Sequence, residues 1–134
     1  MALTKRLQAA LAATGRLGEA LRLEPVDALI RDAAILRFEM AFEASWKAAQ
    51  EYLRQQHGLD LASPRTVWRT ARDVGLMGDT ETELALALTD DRNLIVHLYD
   101  EALANQVFAR LPGYYRLLAD ILARMASGME STSG

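Results

Sequence analysis

The sequence predicts an all-α protein, an antiparallel up-and-down bundle of about five helices, and three observations carry that prediction. Ala and Leu greatly outnumber the β-branched residues that strands prefer. Apolar residues recur at spacings of three and four over most of the chain, and no stretch alternates with the period of two that a half-buried strand needs. Between Asp27, a capping residue, and Gly58, a terminating one, lies a helical pattern about 45 Å long. In a chain of 134 residues, a helix of that length calls for neighbours laid alongside it.

The elements follow in order. Residues 2–22 place Leu3, Leu7, Leu11, Leu17 and Leu21 on one side of a first helix, weakened in its middle by Gly15 and Gly18. Pro25 breaks the pattern and Asp27 caps the long second helix, which runs to His57 and stops at Gly58. Ile35, Phe38, Phe42, Trp46, Ala49 and Leu53 form one apolar stripe on it; Ala33, Leu36, Met40 and Ala44 form another on the opposite side, so two neighbours are expected. Asp32, Glu39, Glu43 and Gln50 make an acidic ridge between the stripes, read first as solvated surface.

Ser63-Pro64, an N-cap followed by proline at the first helical position, starts a short third helix that ends at Gly75. Arg65, Arg69 and Arg72 align on its outer face, opposite Val67, Trp68, Ala71 and Val74, as candidate phosphate contacts on an otherwise solvated surface. Asp79 is expected to cap a fourth helix that reaches about Tyr99, with Leu84, Leu88, Ile95 and Leu98 facing the core. Asp100 caps a fifth helix that Pro112-Gly113 should kink or restart. Residues 1–126 are expected to form one domain, and residues 127–134, rich in Ser, Gly and Thr, a disordered tail.

Composition narrows the function. The net charge of −3 argues against a protein that coats nucleic acid through charge alone. Without cysteine and with two histidines, neither a disulfide nor a structural zinc site is expected, and no metal or cofactor site suggests itself. No apolar run approaches the roughly 20 residues of a membrane span, and no secretory signal is visible, so a cytoplasmic location is expected. The phosphate-cradling loop, the dinucleotide-binding glycine fingerprint and the Gly-Ser plus paired aspartates of a nucleotidyltransferase are all missing. The chain is not expected to transfer a nucleotide by itself.

Chemistry is concentrated between Thr89 and Asp100. Arg92 and His97 are a guanidinium that can hold a phosphate and an imidazole that can exchange a proton near neutral pH. Five residues apart on one helix, they point about 140° away from each other. Both could serve one phosphate only if two copies met across a two-fold axis, with Asp90 and Asn93 orienting the imidazole. On the continuous helix expected here, Arg92 and Tyr99 share a face. The same spacing also arises by chance in an Arg-rich helix. His57 has the plainer reading of a residue beside a helix stop.

The order Arg31-Asp32-Ala33-x-x-x-Arg37-Phe38-Glu39-x-x-Phe42-Glu43-x-x-Trp46-Lys47, then Ser63-Pro64-Arg65, then Asp91-Arg92-Asn93-x-x-x-His97-x-Tyr99-Asp100 resembles the nucleotidyltransferase substrate-binding protein family, a branch of the HEPN superfamily. The resemblance spans about residues 30–122. It implies a HEPN-like helical bundle that forms a homodimer and is encoded beside a minimal nucleotidyltransferase, its partner in a toxin–antitoxin-like module. It further implies binding of nucleotide or RNA in a dimer cleft or, alternatively, metal-independent cleavage of RNA. By the same resemblance Arg92 and His97 are the catalytic candidates, with Asp90, Asp91 and Asn93 as binding and orienting neighbours. Tyr99 is the position that the partner transferase adenylylates in the toxin branch.

Overall fold

A computed structural model describes residues 3–132, the side chains of 130–132 excepted. Its elements are α1 (Lys5–Leu21), α2 (Ala28–His57), α3 (Pro64–Asp73), α4 (Asp79–Asn93), a 3-10 turn (Ile95–His97) and α5 (Glu101–Thr132), with no strand among the described residues. Local chemistry sets most of the boundaries. The side chains of Thr4, Asp27 and Ser63 accept the N–H groups of Leu7, Ile30 and Thr66, satisfying donors that the first turns of α1, α2 and α3 would otherwise leave open. Gly58 ends α2 at φ 69°, a left-handed backbone that a side chain would oppose. Asp100 Oδ1 accepts the Leu103 N–H at the start of α5.

Cross-links give the direction of each helix. Arg6 at the start of α1 lies 3.8 Å from Glu51 near the end of α2, so these two run antiparallel. Asp91 and Glu81 of α4 meet Arg110 and Arg124 of α5 in reverse order, so α4 and α5 are also antiparallel. α2 and α5 run the same way: Arg31 meets Glu101 and Asn105, and the rings of Phe38 and Tyr114 stack at 5.6 Å. The core between them is built from Ile35, Phe38, Phe42, Leu53, Trp68, Leu88, Leu111, Leu118, Ile121 and Leu122, all buried. Close approach replaces bulk at two points. A Cβ at Gly18 would stand 2.7 Å from the Tyr115 ring, and one at Gly128 would stand 2.6 Å from the Tyr52 hydroxyl. No helix of the described residues is long and apolar enough to cross a membrane.

Several expectations need correction. The fourth helix ends at Asn93, short of Tyr99. From Leu94 to Asp100 the N–H groups of Leu94, His97, Leu98 and Asp100 bond to carbonyls three residues back, the tighter winding that lets the chain reverse within a few residues into α5. Its N-cap is Gly78, whose N–H donates to the Glu81 side chain; Asp79 is the first helical residue. α5 does not restart at Pro112-Gly113 but continues as one helix. It also continues through most of the expected tail, because Met129 falls one turn after Met125 and both are buried; residues 133 and 134 lie outside the described residues. Finally, the second stripe of α2 is only partly covered among the described residues: Ala44 packs against the edge of the core, while Leu36 is 57% and Met40 48% exposed. Leu11 and Leu84, expected to face the core, lie at the surface. Of the first helix as expected, Ala2 lies outside the described residues.

Candidate functional site

The last turn of α4 sends three consecutive side chains to three different helices. Asp90 reaches α3, where Arg65 Nη1 donates to it over 2.7 Å. Asp91 turns into the bundle and accepts from Arg110 Nε at 2.7 Å, Arg110 Nη2 at 3.0 Å and Tyr114 Oη at 2.6 Å, all from α5. Arg92 reaches back to α2, with Nη2 3.2 Å from Glu43 and 3.7 Å from Glu39. Successive helical residues point about 100° apart, so a helix wedged between three others can spend neighbouring residues in this way. The Asp91 carboxylate holds the Arg110 guanidinium more firmly protonated than usual. Burial, reinforced by the bond to Asp91, pushes the Tyr114 phenol well above its ordinary range.

Beside this junction is a groove of about 360 Å³, lined by Phe42, Glu43 and Trp46 of α2, Ser63, Pro64 and Arg65 at the start of α3, and Thr89, Arg92 and Asn93 of α4. Three segments far apart in the chain therefore converge on one concave surface. Trp68 fixes its base. The indole is fully buried and donates to Thr89 Oγ1 over 2.9 Å, while Thr89 donates to the Ala85 carbonyl. Trp46 lies at the wall with its N–H directed to Glu43 at 3.3 Å. Arg65 and Arg92 bring two guanidinium groups, each balanced by carboxylates. Among the described residues the Arg92 Nε is buried without a hydrogen-bond partner, which leaves one donor of that guanidinium unsatisfied. Such a groove offers paired cations for a phosphate and an aromatic wall for a planar ring.

The residues singled out from sequence are distributed unevenly. Arg65, Arg92 and Asn93 line the groove, and Asp90 borders it through Arg65. Asp91 does not face it, because its carboxylate is consumed by α5. Arg69 is exposed on α3 and Arg72 is drawn to Asp73 and Asp79, so of the three arginines of α3 only Arg65 lines the groove. His97 and Tyr99 lie past the end of α4, on the 3-10 turn and just after it. Their rings meet edge to face at 6.2 Å, and Tyr99 is 85% exposed. Among the described residues no hydrogen bond or ion pair joins His97 to Asp90, Asn93 or Arg92. The helical face expected to orient the imidazole, and the one expected to align Tyr99 with Arg92, both dissolve where α4 stops.

Glu39 and Glu43, read from sequence as solvated ridge, are the partners of Arg92. Phe42 and Trp46, read as core stripe, include the groove wall. Tyr114 belongs by its spacing to the apolar stripe of the last segment, with no signal of a polar partner; Arg110, one turn before it, shares the face of α5 that meets Asp91.

A family model described as nucleotidyltransferase substrate binding protein like matches residues 5–127. Among solved structures, a Thermus thermophilus protein is 52% identical, with a TM-score of 0.84 over 87% of this chain and 98% of that one. A Haemophilus influenzae protein, described as revealing the fold of a substrate binding domain of a nucleotidyltransferase, is 24% identical, with a TM-score of 0.78 over 90% and 98%. A tri-AMPylated Shewanella oneidensis HEPN toxin, in complex with its MNT antitoxin, is 17% identical, with a TM-score of 0.75 over 92% and 98%. At these last two identities the likeness concerns the fold. No curated protein matches the chain.

Proposed function

The chain belongs to the nucleotidyltransferase substrate binding protein-like family, and on that premise we propose that it is the substrate-binding subunit of a two-component, toxin–antitoxin-like module. In this reading a minimal nucleotidyltransferase encoded nearby supplies the catalytic aspartates that this chain lacks. The present chain receives nucleotide or RNA. The observation that carries the reading is the convergence of Phe42-Glu43-x-x-Trp46, Ser63-Pro64-Arg65 and Arg92-Asn93 on one groove. Each of the three stretches on which the family resemblance rests contributes to that concave surface, although Arg31, Asp91, His97 and Tyr99 of the same stretches lie outside it. Arg65 and Arg92 suit a phosphate, Trp46 a base, and Asn93 the polar edge of either.

The protein acts as a cytoplasmic, single-domain homodimer in this proposal. Leu36, Met40 and Ala44 form an apolar strip beside Glu39, Glu43 and Lys47, so a second copy seated there would lie next to Arg92. Isothermal titration tests the reading: AMP binds the wild type, and Arg92→Ala and Arg65→Ala each weaken it about tenfold. Unchanged affinity in both variants would remove the groove from the function.

A second reading, that the chain is a metal-independent ribonuclease using Arg92 and His97 and silenced by adenylylation of Tyr99, has one observation in its favour. Tyr99 is largely exposed at the rim of the bundle and touches His97, so a partner enzyme can reach it and a bulky group there would cover the imidazole. Within one copy Arg92 is engaged by α2 while His97 points elsewhere, so cleavage would require both protomers. Expression without the partner, with RNA integrity and intact mass followed before and after incubation with partner and ATP, separates the readings. Cleavage lost in His97→Ala and a mass shift lost in Tyr99→Phe favour the ribonuclease; an inert, unmodified protein that binds AMP favours the subunit alone.

A further inference from the structure

The turn that joins α4 to α5, residues 94–100, carries His97 and Tyr99, and both of its ends are tied to α2. At its start Arg92 reaches Glu43 and Glu39. Past its end Arg31, in the first turn of α2, reaches the start of α5. There Arg31 Nη1 donates to Asn105 Oδ1 over 3.0 Å, and Nη1 and Nη2 donate to the two carboxylate oxygens of Glu101 over 3.4 Å each. Arg31 and Glu39 stand about 12 Å apart along the axis of α2. The turn therefore bridges two anchor points on one helix.

Inside the turn, bonding is local. The N–H groups of Leu94, His97, Leu98 and Asp100 go to carbonyls three residues back, and Ile95 and Leu98 are packed only partly against the core. Such bonds shape the turn but do not aim it. Arg31 is placed to do so. It is the only arginine buried among the described residues, and its Nε donates to Asp32 Oδ1 over 3.0 Å, so every nitrogen of the guanidinium is committed. Glu101, two residues after Tyr99, has a side chain 74% exposed, so an exposed group is held in place by a buried one. The packing of α2 on α5 is carried further along both helices, where the Phe38 and Tyr114 rings stack.

We propose that Arg31 is a positioning residue for this turn: by gripping Glu101 and Asn105 it fixes where α5 begins, and through that the direction in which His97 and Tyr99 face outward. The use of Tyr99 as an acceptor for a partner enzyme rests on the second reading above, whereas the aim of the turn does not. A reacting group misplaced by about 1 Å can lose about a hundredfold in rate. Arg31 thus governs how fast Tyr99 is modified without touching it.

Amide hydrogen exchange, followed residue by residue in the full chain, tests the positioning. Arg31→Gln and Glu101→Gln should each speed exchange at His97, Leu98 and Asp100 about tenfold, the loss of one charge-assisted contact. The double variant should add little to either single one. Exchange in α1 and α3, and the affinity of the groove for AMP, should stay as in the wild type. Because Glu101 is exposed, Glu101→Gln decides the matter even where Arg31→Gln fails to fold. With the partner enzyme and ATP, intact-mass kinetics should show a lower kcat for Tyr99 modification at an unchanged KM for ATP. Unchanged exchange at the turn in Glu101→Gln, or faster exchange spread equally through α1 and α3, would mean that Arg31 only fastens two helices, and would overturn the proposal. Faster exchange at the turn with an undiminished kcat would overturn it as well. A wild-type chain that never gains mass removes the second reading, and exchange alone then decides whether Arg31 aims the turn.

Discussion

Tyr114 of α5 donates to Asp91 of α4 across 2.6 Å, inside the bundle and 23 residues away in sequence. This bond, with the two that Arg110 gives the same carboxylate, fixes how α4 ends. It turns Asp91 inward, which leaves Asp90 and Arg92 on either side to face α3 and α2. The groove arginine is therefore aimed by a residue that never touches the groove.

Asp91→Ala should cost about 2–3 kcal/mol, because it strands a buried phenol and removes the charged acceptor of a guanidinium. Arg110→Ala should cost less, since Arg110 is half exposed and water can take its place at the carboxylate. Urea denaturation of the two variants measures the order. An equal loss in both would mean that the carboxylate is held chiefly by the arginine.

The same bond predicts a fall in stability at alkaline pH. Tyr114 is raised above its ordinary 10.0, first by burial and then by its bond to Asp91. The folded chain keeps that proton while the unfolded one releases it above the ordinary value. The contribution is thus full below about pH 10 and is lost as pH rises toward the folded value. The urea midpoint of the wild type should drop more steeply than that of Tyr114→Phe as pH rises above about 10. Parallel curves for the two proteins would exclude this residue as the source.

The boundaries of α2 and α3 were legible because their signals are local: Asp27, Gly58 and Ser63-Pro64 act within a turn of themselves. The end of α4 was not, because periodicity runs on through Ile95 and Leu98 while the stop is imposed from α5 and by the need to reverse into it. For the site, the arginines were legible as residue types, whereas their carboxylate partners were not. Glu39 and Glu43 look like any solvated pair on a helix until α4 is packed against them. The final turns of α5 were missed for a compositional reason, Ser and Gly outweighing a well-spaced methionine.

Met129 is buried against the core, so Met129→Ala should cost about 2–3 kcal/mol, and truncation after Ala126 at least as much. Gly128→Ala should also destabilise, by crowding the Tyr52 hydroxyl, and Tyr52→Phe should relieve it. Thermal unfolding of these variants distinguishes a packed helix from a loose tail, for which none of the changes would register.

The two carboxylates facing Arg92 set the sign of the effect of charge on phosphate binding. A phosphate entering the groove must compete with Glu43 at 3.2 Å and Glu39 at 3.7 Å for the guanidinium, and it also meets their charge. Removing one negative charge while keeping a polar side chain of the same size should therefore strengthen phosphate binding: Glu43→Gln is expected to raise AMP affinity about threefold to tenfold. The gain should shrink as salt is added, because the competing charges stand at a partly open surface. Arg92→Ala combined with Glu43→Gln should lose the gain entirely, since the carboxylate acts through the arginine. The opposite result would be equally informative. If Glu43→Gln weakens AMP binding, then the carboxylate holds the guanidinium in its binding posture, and the cost of releasing an unanchored Arg92 outweighs the repulsion removed.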